Sequence, residues 1–103
     1  MTKKTRSVAQ LPEFDLAEHL KDDQDIAEYL TQVMAEGDPS ELAHALGLVA
    51  RARGMAEIAR AAGLTREALY KALRPDAQPR FDTVQRVCTA LGVKLVALPA
   101  EPS

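Results

Sequence analysis

Four side chains that can bind nucleic-acid bases lie within residues 66–71, namely Arg66, Glu67, Tyr70 and Lys71. A guanidinium group can form two hydrogen bonds with O6 and N7 of guanine, and a lysine can reach a guanine edge or a phosphate. A tyrosine can contact a phosphate or a thymine methyl group, and a glutamate can accept from cytosine N4 or orient the arginine. On the first two turns of one helix, these residue types predict a surface that contacts base pairs in the major groove of DNA.

Two short helices joined by a tight turn would present that surface. The sequence predicts helices over residues 56–62 and 66–73, with Thr65 as the N-cap of the second. Gly63 permits the positive φ angle of a sharp turn, and Ala59 is small enough to lie where the helices cross. This arrangement is typical of a helix-turn-helix motif.

The opposite side of the predicted motif, residues 55–73, is apolar. Its anchors on a hydrophobic core are expected to be Ile58, Leu64, Leu69 and Leu73. Two packed helices of an unrelated bundle would show a similar pattern, with Arg66 and Lys71 contacting only solvent. The pattern alone leaves both interpretations open.

Charge is distributed unevenly along the chain, whose net charge is −2. Residues 7–50 carry ten acidic side chains and one basic side chain, whereas residues 51–103 carry nine basic and five acidic ones. The basic half could therefore meet phosphate and the acidic half a basic protein, or both could simply be solvated. Candidate phosphate-binding residues at helix ends and in the following loop are Arg53, Thr65, Arg74 and Arg80.

Three further helices are predicted over residues 23–36, 40–53 and 82–91. Asp22 is expected to cap the first and Gly37 to end it, while Asp82 and Gln85 resemble a capping box at the start of the last. The first helix has an apolar stripe formed by Ile26, Tyr29, Leu30, Val33 and Met34.

Residues 93–98 contain one polar side chain and predict a short β-strand. A single strand cannot satisfy its own backbone groups, so it should pair with the segment near Phe14 or with its copy in a second subunit. The predicted dimer contacts are Val93, Leu95, Val96 and Leu98.

The length of 103 residues allows one domain with one hydrophobic core. We expect an all-α, five-helix fold with a short C-terminal β-strand over residues 13–99. A flexible arm, residues 1–12, precedes this domain, and a short tail, residues 100–103, follows it.

Enzyme and metal chemistry are not indicated. The single cysteine, Cys88, cannot form an internal disulfide and lies on an apolar stripe, which favours a role in the core. His19 and His44 lack metal-ligand spacing, and phosphate-loop or nucleophile motifs are missing. With no signal-peptide pattern and no long apolar run, we expect a cytoplasmic protein without cofactor or membrane contact.

Four segments carry a resemblance to a known family. They are DIAEYL at 25–30, ARARGM at 50–55 and, most specifically, GLTREALYKAL at 63–73 and PRFDTV at 79–84. Over residues 15–97 the chain resembles the probable addiction-module antidote family, a branch of the lambda-repressor-like (Xre/Cro) DNA-binding proteins. It departs from the family at Ala56, where Ser or Thr often caps the helix, and at 76–78, where a Gly is common. The start of the first motif helix is therefore expected to fray or to be capped in another way.

This resemblance implies a lambda-repressor-like, dimeric protein that binds double-stranded operator DNA and represses its own operon. It also implies a partner, a small basic toxin of the RelE/ParE class. The acidic residues expected to contact that toxin are Glu13, Asp15, Glu18, Asp22, Asp23, Asp25 and Glu28. The alternatives are a stand-alone helix-turn-helix regulator without a toxin, and a protein-interaction module that has lost DNA binding.

Overall fold

The computed structural model describes residues 18–20 and 22–100, and it is all-helical over this part of the chain. Over residues 23–90 the five helices are α1 (Asp23–Glu36), α2 (Pro39–Arg53), α3 (Met55–Ala62), α4 (Arg66–Ala72) and α5 (Phe81–Ala90), and residues 18 and 19 are also helical. Each helix begins and ends within one residue of its predicted bounds, so the five predicted helices are confirmed. The predicted arm at 1–12 and the segment near Phe14 lie outside the described residues.

Short-range hydrogen bonds fix where α1 and α2 begin. The Asp22 carboxylate accepts a hydrogen bond from the backbone N–H of Asp25 at 2.9 Å. The Asp38 carboxylate likewise accepts from the N–H of Ser40 at 3.1 Å. Each bond satisfies an N–H group that has no partner inside its own helix. The cap at Asp22 confirms the predicted start of α1.

The helices enclose one aliphatic core. α1 packs on α2, α2 on α3, and α3 on both α4 and α5. The largest fully buried side chains are Ile26, Leu46, Leu69, Leu91, Val49, Val87 and Cys88. Of the predicted stripe on α1, only Met34 is exposed, at 41%. Eight residues along a helix place it roughly 80° around the axis from Ile26, at the edge of the buried side.

Cys88 belongs to this core, as predicted, with 1% of its surface exposed. Burial raises the pKa of its thiol from 9.0 to about 11, because the thiolate would lose its hydration. The thiol is therefore protonated at neutral pH, and its contribution is packing.

The predicted C-terminal strand is wrong for the described residues, none of which forms a β-strand. Val93 and Leu95 pack against the core, while Val96 and Leu98 are 72% and 80% exposed. In residues 18–20 and 22–100, the last backbone–backbone hydrogen bond along the chain joins the N–H of Val93 to the carbonyl of Cys88 at 2.9 Å. A strand needs a neighbouring strand, and an apolar sequence alone does not supply one.

The predicted capping box at the start of α5 is also wrong. The helix begins one residue early, at Phe81, and Arg80 occupies the N-cap position without a side-chain hydrogen bond to the helix. Asp82 then lies in the first turn, where its carboxylate favours the positive end of the helix dipole. A capping box needs its acceptor at the N-cap, so this shift of one residue removes it.

Gly47 brings α2 close to the end of α4. A Cβ atom at Gly47 would lie 3.1 Å from the backbone oxygen of Leu73 and 3.5 Å from Nη1 of Arg51. A backbone oxygen cannot swing aside as the tip of a side chain can. α2 and the end of α4 can therefore lie this close together only because residue 47 is a glycine, which has no side chain.

Gly47→Val should lower the free energy of unfolding by about 1–3 kcal/mol, because the branched side chain must push Leu73 away from α2. Urea denaturation followed by circular dichroism measures this change. Ala52→Val, at an exposed position of α2, is the matched control. Its expected loss is below about 0.7 kcal/mol. An equal loss in the two variants would contradict the role of the Leu73 contact.

Candidate nucleic-acid interface

Three residues, 63–65, connect α3 to α4. Gly63 ends α3 with a φ of 74°, a conformation that residues with a side chain rarely adopt. The N–H of Gly63 donates to the carbonyl of Arg60 at 3.1 Å, and the N–H of Leu64 donates to that of Ala59 at 2.8 Å. These bonds satisfy carbonyls at the end of α3 and fix the direction in which the chain enters α4. Ala59 is buried, as its predicted place between the helices requires.

Thr65 caps α4 as predicted. Its Oγ1 accepts a hydrogen bond from the backbone N–H of Ala68 at 3.0 Å. The hydroxyl proton of this exposed side chain stays available as a donor to an external acceptor such as a phosphate oxygen. α3 has no comparable cap: Gly54 occupies its N-cap position, and no side chain bonds to the helix there. A start without the usual cap is expected from Ala56, but its cause lies elsewhere: Ala56 is inside α3, and the N-cap is Gly54, which has no side chain.

The two sides of α4 have opposite environments. Leu69 is completely buried and Leu73 is 3% exposed. All four predicted base-reading side chains are exposed, namely Arg66, Glu67, Tyr70 and Lys71. We call this surface the α4 face. The exposure of these four side chains agrees with the sequence prediction. Their role in reading bases stays a prediction.

Two members of the α4 face contact each other. The Cζ atom of Arg66 lies over the ring of Tyr70, 5.8 Å from its centroid. The residues are one turn apart, so the helix itself brings them together. A guanidinium at this distance is attracted to the ring, which limits the rotamers of both side chains. Among the described residues, Arg66 forms no ion pair, so its charge is not neutralised by a nearby carboxylate.

The four predicted phosphate-binding residues differ in their surroundings. Arg74 is exposed, and Thr65 is the cap described above. The Arg80 side chain is 87% exposed, with its Nε 3.9 Å from Oδ1 of Asp82, a loose contact that leaves most of the guanidinium accessible. Arg53, in contrast, is paired with Asp23: its Nη1 lies 3.6 Å from Oδ1. All four are thus exposed, but Arg53 and Arg80 each lie near a carboxylate, and Arg53 is the less accessible of the two.

Those acidic residues predicted to bind a toxin that the structure describes lie in or just before the first turns of α1. Glu13 and Asp15 are outside the described residues. Asp22 uses its carboxylate to cap α1, and Asp23 pairs with Arg53. The remaining acidic residues predicted for this role, Glu18, Asp25 and Glu28, are exposed or half-buried. Their contact with a toxin stays a prediction.

Sequence reasoning missed a further basic residue beside the turn. Nη1 of Arg86, on α5, would be 3.8 Å from a Cβ atom at Gly63. The two residues are far apart in sequence, and no local motif marks Arg86. Only the packing of α3 against α5 brings its guanidinium to the residue where the turn begins.

Two other kinds of feature are missing from the described part of the chain. No three His, Cys, Asp or Glu side chains are grouped there so as to hold a metal ion. None of the helices there is both long and apolar enough to cross a membrane. The predicted dimer contacts at Val96 and Leu98 are exposed in the single chain, and their role stays a prediction.

Comparison with known proteins adds independent information. Residues 10–99 match the model of a family described as probable addiction module antidote proteins. The chain is also 46% identical, over 85 residues, to an uncharacterized protein of Haemophilus influenzae; the match covers 82% of this chain and 88% of that protein. No solved structure matches the chain.

Thr65→Ala should lower the free energy of unfolding by about 1 kcal/mol, because the N–H of Ala68 loses its acceptor at the start of α4. Thr65→Ser keeps a hydroxyl group in the same place and should lose at most a few tenths of a kcal/mol. Urea unfolding curves of the two variants and the wild type give these differences. If serine and alanine are equally destabilising, the hydroxyl does not act as the cap.

Proposed function

The chain belongs to the family of probable addiction module antidote proteins, and from this premise we propose that it is a DNA-binding antitoxin. In this proposal it neutralises a small basic toxin of the RelE/ParE class in the cytoplasm and represses its own operon. It acts by binding both partners and not by catalysis. DNA binding and toxin binding are assigned to different surfaces of the protein.

The observation that carries DNA binding is the exposure of Arg66, Tyr70 and Lys71 above a buried Leu69. This arrangement supports α4 as the recognition helix of a helix-turn-helix motif of the lambda-repressor-like (Xre/Cro) type. An α-helix fits the major groove, and side chains near its N-terminus contact base edges. Arg66 would bind guanine O6 and N7 through its two-pronged guanidinium, while the contact with Tyr70 reduces the entropy lost on binding.

Phosphate contacts would orient the protein on the duplex. Arg74 and Arg80 follow α4 in the chain and are exposed, and the Thr65 hydroxyl keeps a free donor at the start of α4. The net charge of −2 opposes association at long range, but this local group of basic side chains acts at contact distance. We therefore expect DNA binding that weakens steeply as the salt concentration rises.

A homodimer would place two α4 helices in successive major grooves of an operator, about 34–36 Å apart. The C-terminal segment is the proposed contact, because Val96 and Leu98 expose large apolar surfaces in the single chain. Burying such side chains against a second copy would contribute roughly 1.5–3 kcal/mol for each one that becomes fully buried.

The toxin contact is proposed for the acidic start of α1. Residues 7–50 hold ten acidic side chains and one basic one, and this imbalance complements a basic protein. This surface and the α4 face carry opposite charges, so one chain can offer toxin and DNA two separate surfaces. A stand-alone regulator would use only the α4 face. An antitoxin would use both surfaces and would have a toxic protein encoded beside its gene.

Arg66→Ala should weaken binding to the upstream DNA of its own gene by about 1–3 kcal/mol and relax the preference for one base pair. Arg74→Ala should weaken binding to all sequences alike and lower the salt slope by about one. Fluorescence anisotropy with upstream and scrambled duplexes measures both effects. The control is Lys94→Ala, an equal loss of charge at an exposed position outside the motif. If Arg66→Ala discriminates between the duplexes as well as the wild type does, α4 does not read bases.

Co-expression tests the antitoxin part. The wild type should restore growth of cells that express a small basic protein encoded beside its gene. The combined Glu18→Gln, Asp25→Asn and Glu28→Gln variant should lose this protection but keep DNA binding, because it weakens attraction to the basic toxin. Arg66→Ala should show the reverse pattern. Full protection by the triple variant would remove the acidic surface from the proposal, and the lack of any toxic neighbour would favour the stand-alone regulator.

A further inference from the structure

One ion pair joins the acidic start of α1 to the end of α2. Nη1 of Arg53 lies 3.6 Å from Oδ1 of Asp23, and their side chains are 37% and 63% exposed. Arg53 is the last residue of α2, and Asp23 is the first residue of α1. A residue proposed to bind DNA phosphate is therefore paired with a residue proposed to bind a toxin.

The Asp23 carboxylate lies close to Gly92, near the end of α5. A Cβ atom at Gly92 would be 2.7 Å from Oδ2 and 2.9 Å from Oδ1 of Asp23. The carboxylate thus occupies the space that any side chain at position 92 would need. Gly92 follows Leu91, the C-cap of α5, so three helices contribute to the position: α1 carries the carboxylate, α2 carries its cation, and the chain just after α5 lies against it.

Arg53 also lies next to the proposed DNA-binding motif. It precedes Gly54, the N-cap of α3, and the N-terminal end of a motif's first helix approaches the DNA backbone. A phosphate that reaches Arg53 would meet a guanidinium whose charge is partly neutralised by Asp23. The carboxylate would also repel that phosphate directly.

We propose that Asp23 competes with DNA phosphate for Arg53, so that the free protein binds DNA less tightly than its basic residues allow. This inference rests on the proposed DNA binding.

Asp23→Asn tests the competition, because the amide keeps the shape that lies against Gly92 and removes the charge. Asp25→Asn is the matched control: it removes an equal charge in the same first turn of α1, from a residue without an ion pair among the described residues. Anisotropy titrations of upstream DNA between about 50 and 200 mM salt give the affinity and the salt slope of each variant.

The Asp23→Asn variant should bind DNA about two- to five-fold more tightly than the Asp25→Asn variant. Its salt slope should be steeper by about 0.9, the value for one additional phosphate contact. Both gains should disappear when Arg53→Gln is added, because the effect passes through Arg53. A purely structural role of Asp23 would not change the salt slope. Asp23→Ser, which also suits a helix start, provides a second variant if the asparagine variant is unstable.

Equal affinities and slopes for the two asparagine variants would overturn the competition while leaving the proposed DNA binding intact. A gain that persists after Arg53→Gln would overturn it too. If the wild type binds no DNA at about 50 mM salt, where electrostatic binding is strong, the proposed function itself fails and this inference fails with it.

Discussion

α4 has seven residues, and a helix of that length is not stable by itself in water. It forms because Leu69 and Leu73 are buried beneath it, and because Gly47 lets α2 approach its end without a side chain between them. Thr65 closes the other end of the helix with a hydrogen bond. The outward side chains have a defined direction only because this inward side is fixed, so every function proposed for the α4 face depends on aliphatic packing.

The sequence predicted those features of the fold that depend on near neighbours. The side chains of Asp22 and Thr65 each accept a hydrogen bond from an N–H group three residues further on, and Gly63 ends α3 through its own φ angle. Each signal therefore lies within one turn of its effect. The strand at 93–98 was predicted wrongly because a strand depends on a partner that the segment itself does not contain. The capping box at α5 failed because Asp82 lies one position past the N-cap, and sequence patterns locate helix ends only to a residue or two.

In the candidate site, too, features that depend on near neighbours could be predicted from the sequence, and those that depend on packing between helices could not. Exposure on α4 follows from helical periodicity, so the outward direction of Arg66 and Lys71 could be predicted. The pairing of Arg53 with Asp23 could not, since it joins residues on different helices and depends on how α1, α2 and the end of α5 pack. Charge counts along the chain suggested two separate surfaces, whereas the fold connects them at this pair.

Cys88, the only cysteine of the chain, is enclosed in the core. Copies of the protein therefore cannot be cross-linked through disulfides while they stay folded, even under oxidative stress. Any dimer must be held by non-covalent contacts and must follow mass action, so its population rises and falls with the concentration of the protein. If the protein is the repressor proposed above, the occupancy of its operator would follow the concentration of the protein without a redox step.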